Sequence, residues 1–184
     1  MPGGSEEQSY RTNPFFVATS DHGYHLGEKD HWTKFALWEK TTRVPLIIAA
    51  PGISKDGAAS DRPVSLIDVY PTLIELCNLP LRPDLDGSSL FSLLLDPTAP
   101  RERPALMTEQ RGNHAVRTDR WRYIRYADGT EELYNHEDDP HEWTNLAHED
   151  RLRDVIQTHR QWLPKQEAQD ALDFSDPIKD SQLK

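Results

Sequence analysis

Two short runs of uninterrupted apolar residues set the first limit on how this chain folds. Phe15-Phe16-Val17-Ala18-Thr19 and Val44 to Ala50 lack the polar alternation of a strand with one wet face. Continuous runs of this kind are expected where a strand is buried on both faces, as in a parallel sheet. Each such strand needs neighbours, and the 184 residues offer too few further runs of the same type to supply them. The first half is therefore expected to be a piece of a larger α/β sheet. Turn chemistry ends both runs: Ser20-Asp21-His22-Gly23 follows the first and Pro51-Gly52 the second.

Between the runs lies a polar, aromatic-rich connection in which Phe35-Ala36-Leu37-Trp38 is expected to form a short helix. Ser65 to Cys77 reads as a helix entry and a helix, with Pro71 in the first turn and Leu73, Ile74 and Cys77 on one apolar stripe. Cys77 is the only cysteine, so no intrachain disulfide and no thiolate metal cluster can form, and it is expected to be a small buried hydrophobe. Ser88 to Leu95 is a shorter helical piece stopped by Asp96-Pro97, and Pro100 to Pro104 reads as a linker.

From Ala105 the pattern changes to antiparallel strands. Trp121, Tyr123 and Arg125 alternate with Arg122, Ile124 and Tyr126, the period of a half-buried strand. Asp128-Gly129 is a hairpin signal, and Glu132-Leu133-Tyr134 is the returning strand. Leu152, Val155, Ile156, His159 and Leu163 share a helical face, so a terminal helix ended by Pro164 is expected to cover this sheet. The expected organisation is a flexible leader (1–14), an α/β part (15–104), a small α+β subdomain (105–164) and a polar tail (165–184).

Composition narrows the partners. A net charge of −10 with scattered acidic residues disfavours nucleic acid, which needs a basic face. The longest apolar run is far too short to span a bilayer, so no membrane segment is expected. Met1-Pro2-Gly3-Gly4-Ser5 shows no basic segment followed by an apolar stretch, so no signal peptide is expected there. Any anionic substrate must be held by local positive groups or a metal, against the average field.

Chemistry is expected where the first run ends. In open α/β sheets, loops at the carboxyl ends of strands aim side chains into a crevice. Asp21 offers a hard oxygen to a cation, and His22 offers nitrogen or orients a neighbouring ligand. Asp-His-Gly alone is equally readable as a polar turn with Asp21 capping a helix. The longer string alters that balance. Ser20-Asp21-His22-Gly23-Tyr24-His25-Leu26-Gly27-Glu28, then Trp32-Thr33-Lys34, then Arg43-Val44-Pro45-Leu46-Ile47, resembles the second signature region of the sulfatases. These enzymes belong to the alkaline-phosphatase-like superfamily, and the string is similar to the branch containing iduronate-2-sulfatases and bacterial glycan sulfatases. Ser65 to Leu73, Asp86 to Leu90, Ala115 to Thr118, Trp121 to Ile124, Glu132 to Asn135 and Asp139 to Glu142 resemble later parts of the same family.

The resemblance implies a partial alkaline-phosphatase-like sheet followed by an antiparallel sheet with a terminal helix. It implies hydrolysis of a sulfate ester, on a sulfated carbohydrate or another alcohol, with a divalent cation, usually calcium, held in part by Asp21 and His22. Lys34 matches the family lysine that contacts the sulfate ester. His114 opens the C-terminal sheet, where relatives present residues to the substrate pocket. The family nucleophile is a formylglycine made from the cysteine of a Cys-x-Pro-x-Arg motif. Cys77-Asn78-Leu79 does not match it, so the chain is expected to be a C-terminal portion, inactive alone and weak in calcium binding, whose partner is the missing N-terminal part. The alternatives are a phosphodiesterase or phosphonate hydrolase of the same superfamily, or a non-catalytic remnant that binds glycan. Among the remaining candidates, His25 and His31 are expected to be loop histidines. Glu28 is expected to pair with Arg43 or cap a turn, Trp32 and Trp38 to pack, and His136, His141 and His148 to lie at the surface or at hinges.

Overall fold

The computed structural model describes residues 14–168. The expected leader, apart from Pro14, and most of the expected tail lie outside the described residues. Two antiparallel sheets organise the rest.

The first sheet pairs β1 (Phe16–Thr19) with β2 (Leu46–Ala49), Phe16 opposite Ala49 and Thr19 opposite Leu46. This corrects the expectation of parallel strands buried on both faces. Phe16 and Ile47 are each 57% exposed. A parallel pair needs a crossover that returns the chain to the far end of the sheet. Here the connection folds into a compact loop with one 3-10 turn (Glu28–Asp30) and the one-turn helix α1 (Glu39–Thr42). It hands the chain back at the end of β1 that it left. The helix expected over Phe35 to Trp38 begins instead at Glu39. Leu37 is buried against Ala115, Ile124 and Tyr134, and the Trp38 indole N–H donates to Glu132 Oε2 at 2.7 Å. These tertiary contacts hold Trp38 extended, as the residue before the helix.

A 3-10 turn (Leu66–Asp68) leads into α2 (Val69–Leu76), and α3 (Phe91–Leu95) follows, stopped by Asp96 as expected. Asp68 joins these pieces. Its carboxylate accepts from the Ser65 and Ser88 backbone N–H groups, each at 2.8 Å, and from Arg101 Nη2 at 2.6 Å. Gly87 permits that approach, since a Cβ there would lie 2.1 Å from the Ile67 carbonyl oxygen. Thr72, Ile74 and Leu76 are the buried residues of α2. Cys77 is exposed, contrary to expectation. It caps the helix just before Asn78 turns to a left-handed φ of 51°, so its side chain leaves the buried stripe.

The second sheet is a meander of β3 (Ala105–Thr108), β4 (His114–Arg117), β5 (Trp121–Arg125) and β6 (Glu131–Asn135). The β5–β6 hairpin turns at Gly129, whose φ of 88° suits a residue without Cβ. As the periodicity predicts, α4 (Arg153–Arg160) covers one face. Leu152 and Ile156 pack on Val116, Tyr123 and Leu133. The opposite face carries Leu37 and Trp38. Covered on both sides, β5 buries Arg122, Tyr123 and Ile124 in succession and is not the half-buried strand expected. Among the described residues, no helix is long and apolar enough to cross a membrane.

Arg122 is 1% exposed and points at the N-terminal segment. Its guanidinium pairs with Glu39 and, through Nε, with Glu142 Oε1 at 2.6 Å, and it donates to the Leu37 carbonyl at 2.7 Å. Removing one partner of a buried ion pair strands the others. Arg122→Ala is therefore expected to lower stability by about 3–5 kcal/mol in urea unfolding; a loss below about 1 kcal/mol would show that the network is dispensable.

Candidate active site

At the end of β1 the chain leaves the sheet through Ser20-Asp21-His22-Gly23. The Gly23 N–H donates to the Thr41 carbonyl at 2.8 Å, and a Cβ on Gly23 would lie 2.0 Å from the Lys40 carbonyl oxygen. Only glycine lets the strand end pass so close to α1. The Ser20 hydroxyl donates to the His22 carbonyl at 2.9 Å, tightening the turn. The following loop doubles back, with the His25 N–H donating to the Thr33 carbonyl and the Tyr24 hydroxyl to the Trp32 carbonyl.

This folding brings Lys34 under the turn. Lys34 Nζ lies 3.1 Å from His22 Nε2, and Asp21 Oδ2 lies 3.6 Å from the same nitrogen. The other ring nitrogen, Nδ1, is 2.8 Å from the Gly23 carbonyl oxygen. A carbonyl only accepts, so Nδ1 carries the proton and the lone pair on Nε2 faces the ammonium. The Asp21 side chain is 85% exposed. Carboxylate, imidazole and ammonium thus share one open corner at the carboxyl end of a strand.

His114 lies apart from this group. It is buried in β4, with Nδ1 2.9 Å from the Thr108 hydroxyl and Nε2 2.7 Å from Glu167 Oε1. Both ring nitrogens are engaged, and neither partner belongs to the Asp21 corner.

The loop is held in place by contacts that begin at Lys29. Lys29 and Asp30 adopt left-handed φ values of 55° and 56°, conformations that non-glycine residues hold only when surroundings enforce them. Lys29 Nζ donates to the Glu142 carbonyl at 2.5 Å and to the Tyr134 hydroxyl at 3.0 Å. It also lies 4.7 Å and 4.6 Å from the Trp38 and Tyr134 ring centroids, within cation–π range. Glu28 meets Lys40 at 3.9 Å, while Arg43 meets Glu39, so the expected Glu28–Arg43 pair does not form. Its other expected role is met, because its carboxylate accepts from the Leu26 N–H at 2.8 Å. His25 is buried and stacks on Trp38; burial first, then the His31 ring, holds its pKa below the usual histidine value. Trp38 packs as expected, but Trp32 is largely exposed.

Around Arg122 the structure assembles one further group. Glu39, His136 and Glu142 each offer a ligand atom, all within 4.8 Å of one another, a donor set of the kind that holds a divalent cation. His136 is no surface residue; its side chain is 7% exposed and its Nε2 lies 2.9 Å from Glu142 Oε1. The same carboxylates already face Arg122, and Arg117 Nε lies 3.5 Å from Glu39 Oε2. Two guanidiniums therefore supply the positive charge that an ion would bring. The signal available in the sequence was Arg122 itself, a charge set between Trp121 and Tyr123 in a strand.

Residues 27–169 match the family described as N-sulphoglucosamine sulphohydrolase, C-terminal. The chain belongs to this sulfatase family. A sulfatase of Formosa agariphila is 40% identical over 159 residues, covering 86% of this chain and 31% of that protein. The structure of BT4656 in complex with its substrate D-glucosamine-2-N,6-O-disulfate aligns with a TM-score of 0.71 at 25% identity, over 80% of this chain and 32% of that one. A phosphonate monoester hydrolase of Agrobacterium radiobacter aligns with a TM-score of 0.63 at 26% identity, over 80% of this chain and 33% of that one. The chain spans about a third of the length of these relatives.

In this sulfatase segment Glu39 couples the loop to acid stability. Burial pushes its carboxyl up, but Arg122, by charge and hydrogen bond, and then Arg117 pull it further down, below the usual glutamate value of 4.5. The unfolded chain therefore takes up this proton first as pH falls. The Glu39 contribution is complete above pH 4.5 and is lost as pH falls through the lower folded value. Urea midpoints measured between pH 7 and pH 3 should drop more steeply for the wild type than for Glu39→Gln. Parallel curves would show that Glu39 does not contribute.

Proposed function

We propose that this chain supplies the cation- and sulfate-facing corner of a sulfatase active site that hydrolyses a sulfate ester on a glycan. The observation that carries the reading is the meeting of Lys34 Nζ and Asp21 Oδ2 at His22 Nε2, 3.1 Å and 3.6 Å from that nitrogen. Asp21 is exposed and hard, which suits a calcium ligand. When bound, the cation offsets negative charge on the sulfate oxygens. In this arrangement His22 accepts a hydrogen bond from Lys34, so its part is to hold the ammonium in position. An ammonium has three donors, and with one given to His22 the rest remain for ester oxygens. A positive group fixed there stabilises the charge that develops as the S–O bond breaks.

The Asp21 carboxylate alone falls far short of the roughly six to eight oxygens that calcium takes, so residues 14–168 alone would bind it weakly. Cys77 does not fit the formylglycine role. It is the only cysteine, it is followed by Asn78-Leu79-Pro80, and it lies exposed at the end of α2. The nucleophile and further ligands in this reading come from sulfatase sequence outside these residues, and the 184-residue chain alone should not hydrolyse an aryl sulfate. In this reading His114 is left out of the corner, since Thr108 and Glu167 engage its ring nitrogens. Sulfate is preferred over phosphonate as the substrate class because the sulfatase similarity is the stronger, in TM-score and in identity to the Formosa agariphila protein.

A chimera tests this reading: residues 14–168 replace the aligned segment of the Formosa agariphila sulfatase. The chimera should hydrolyse a sulfate ester accepted by that parent in the presence of calcium. Lys34→Ala should lower its kcat about 10²–10³-fold, the usual effect of losing one preorganised charge partner. Asp21→Ala should weaken the calcium dependence to the same degree or more. A Lys34→Ala chimera as fast as its parent would end the proposal.

A further inference from the structure

The β1–β2 pair presents one wholly apolar face. In an antiparallel pair, residues directly opposite one another project from the same side, and alternate residues along a strand share that side. The register sets Phe16 against Ala49 and Ala18 against Ile47, so these four side chains lie together. Val17, Thr19, Leu46 and Ile48 point the other way. The two faces differ in exposure. Phe16 and Ile47 are each 57% exposed and Ala49 is exposed as well, whereas Val17, Leu46 and Ile48 are partly covered.

That distribution is the reverse of what a surface sheet needs. Antiparallel sheets that meet water put polar side chains on the wet side, and here the only polar side chain of the pair, Thr19, lies on the opposite face. A two-stranded ribbon is also marginal without further packing. Among the described residues neither outer edge of the pair meets a third strand, so both edges can take one. The uninterrupted apolar runs at Phe15 to Thr19 and Val44 to Ala50 have their physical reason only if this face is covered too.

The length of the relatives says what covers it. This chain accounts for 31% of the Formosa agariphila protein and 32% of the BT4656 structure, and the matching family is described as C-terminal. About two-thirds of each relative therefore lies outside the aligned segment. A second copy of this chain would bring only another Asp21 corner to the end of β1. We propose that the face formed by Phe16, Ala18, Ile47 and Ala49, with the open edges of the pair, is a docking surface for the remaining two-thirds of a sulfatase chain. That part continues the sheet and buries the face. The inference rests on family membership and on the exposure of these side chains, and not on the chemistry proposed for Lys34.

The test compares the 184-residue chain with the chimera in which residues 14–168 replace the aligned segment of the Formosa agariphila sulfatase. In the chain Ile47 already meets water, so Ile47→Asn should move the melting temperature by less than about 2 °C. In the chimera the same side chain is buried, and the substitution should lower the melting temperature by about 5 °C or more. Phe16→Ser should repeat this contrast, whereas Ile48→Asn, on the partly covered face, should lower both. Amide exchange in β1 should be at least about ten-fold slower in the chimera than in the chain. An equal response of chain and chimera to Ile47→Asn would overturn the proposal, as would a wild-type chimera that fails to fold. So would a 184-residue chain that sediments as a dimer and becomes monomeric with Ile47→Asn, since the face would then serve a second copy. Turnover enters none of these readings. An inactive chimera that is stable and sensitive at Ile47 would refute the proposed chemistry and support the docking surface.

Discussion

The buried guanidinium of Arg122 is the contact on which the rest of this molecule turns. It comes from the middle of a strand and is met by Glu39 from the N-terminal segment and Glu142 from the loop after the meander. A buried ion pair seldom stabilises more than a well-packed apolar cluster would, because desolvation consumes much of the attraction. What it enforces is alignment. Glu142 Oε2 also accepts from the Glu39 backbone N–H at 2.9 Å, and Arg122 donates to the Leu37 carbonyl. A shift of either segment would strand a carboxylate or a guanidinium out of water. Leu37 supplies the hydrophobic part of the same junction, buried against Ala115, Ile124 and Tyr134.

That junction reaches the proposed catalytic corner through a short path. Trp38 and Glu39 lead into α1, and the carbonyls of Lys40 and Thr41 in α1 abut Gly23, the residue after His22. On the other side of the loop, Lys29 is caged by Tyr134, Trp38 and the Glu142 carbonyl. The left-handed backbone at Lys29 and Asp30 is strain that this cage offsets. Lys34 is therefore set from two directions, although its own side chain is exposed. An exposed ammonium on a free loop would sample many positions; one on a loop anchored at both ends can be preorganised, and preorganisation gives a charge its catalytic value.

Local patterns were legible in the sequence and long-range ones were not. The hairpin at Asp128-Gly129, the terminal helix and the stop at Asp96 follow from turn chemistry and periodicity, which depend on neighbours within a few residues. The resemblance carried by Ser20 to Lys34 named three side chains that the fold does bring together. The strand pairing was misread because a run such as Val44 to Ala50 reports that its surroundings are apolar, not which strand lies beside it or in which direction. The helix at Phe35 to Trp38 was misplaced because Leu37 and Trp38 answer to partners some hundred residues away. His136 gave no warning of its burial, since its environment is made by Glu142 and the Arg122 junction, which single-residue reading cannot assemble.

The charge balance joins these observations. A chain of net charge −10 repels an anionic ester at a distance, so anion recognition has to be built at short range by cations whose own neighbours are arranged to leave donors free. At the Asp21 corner the imidazole lone pair, rather than a carboxylate, receives one Lys34 donor, and the ammonium keeps its full charge for a ligand. In the hub around Arg122 the opposite holds, since both carboxylates there are matched by guanidiniums and little charge is left over. The two sites use the same side-chain types to different ends. Pairing a cation with a neutral acceptor preserves its field, and pairing it with a carboxylate cancels that field. On this criterion Lys34 is the group suited to chemistry on an anion, and Arg122 is the group suited to hold the structure around it.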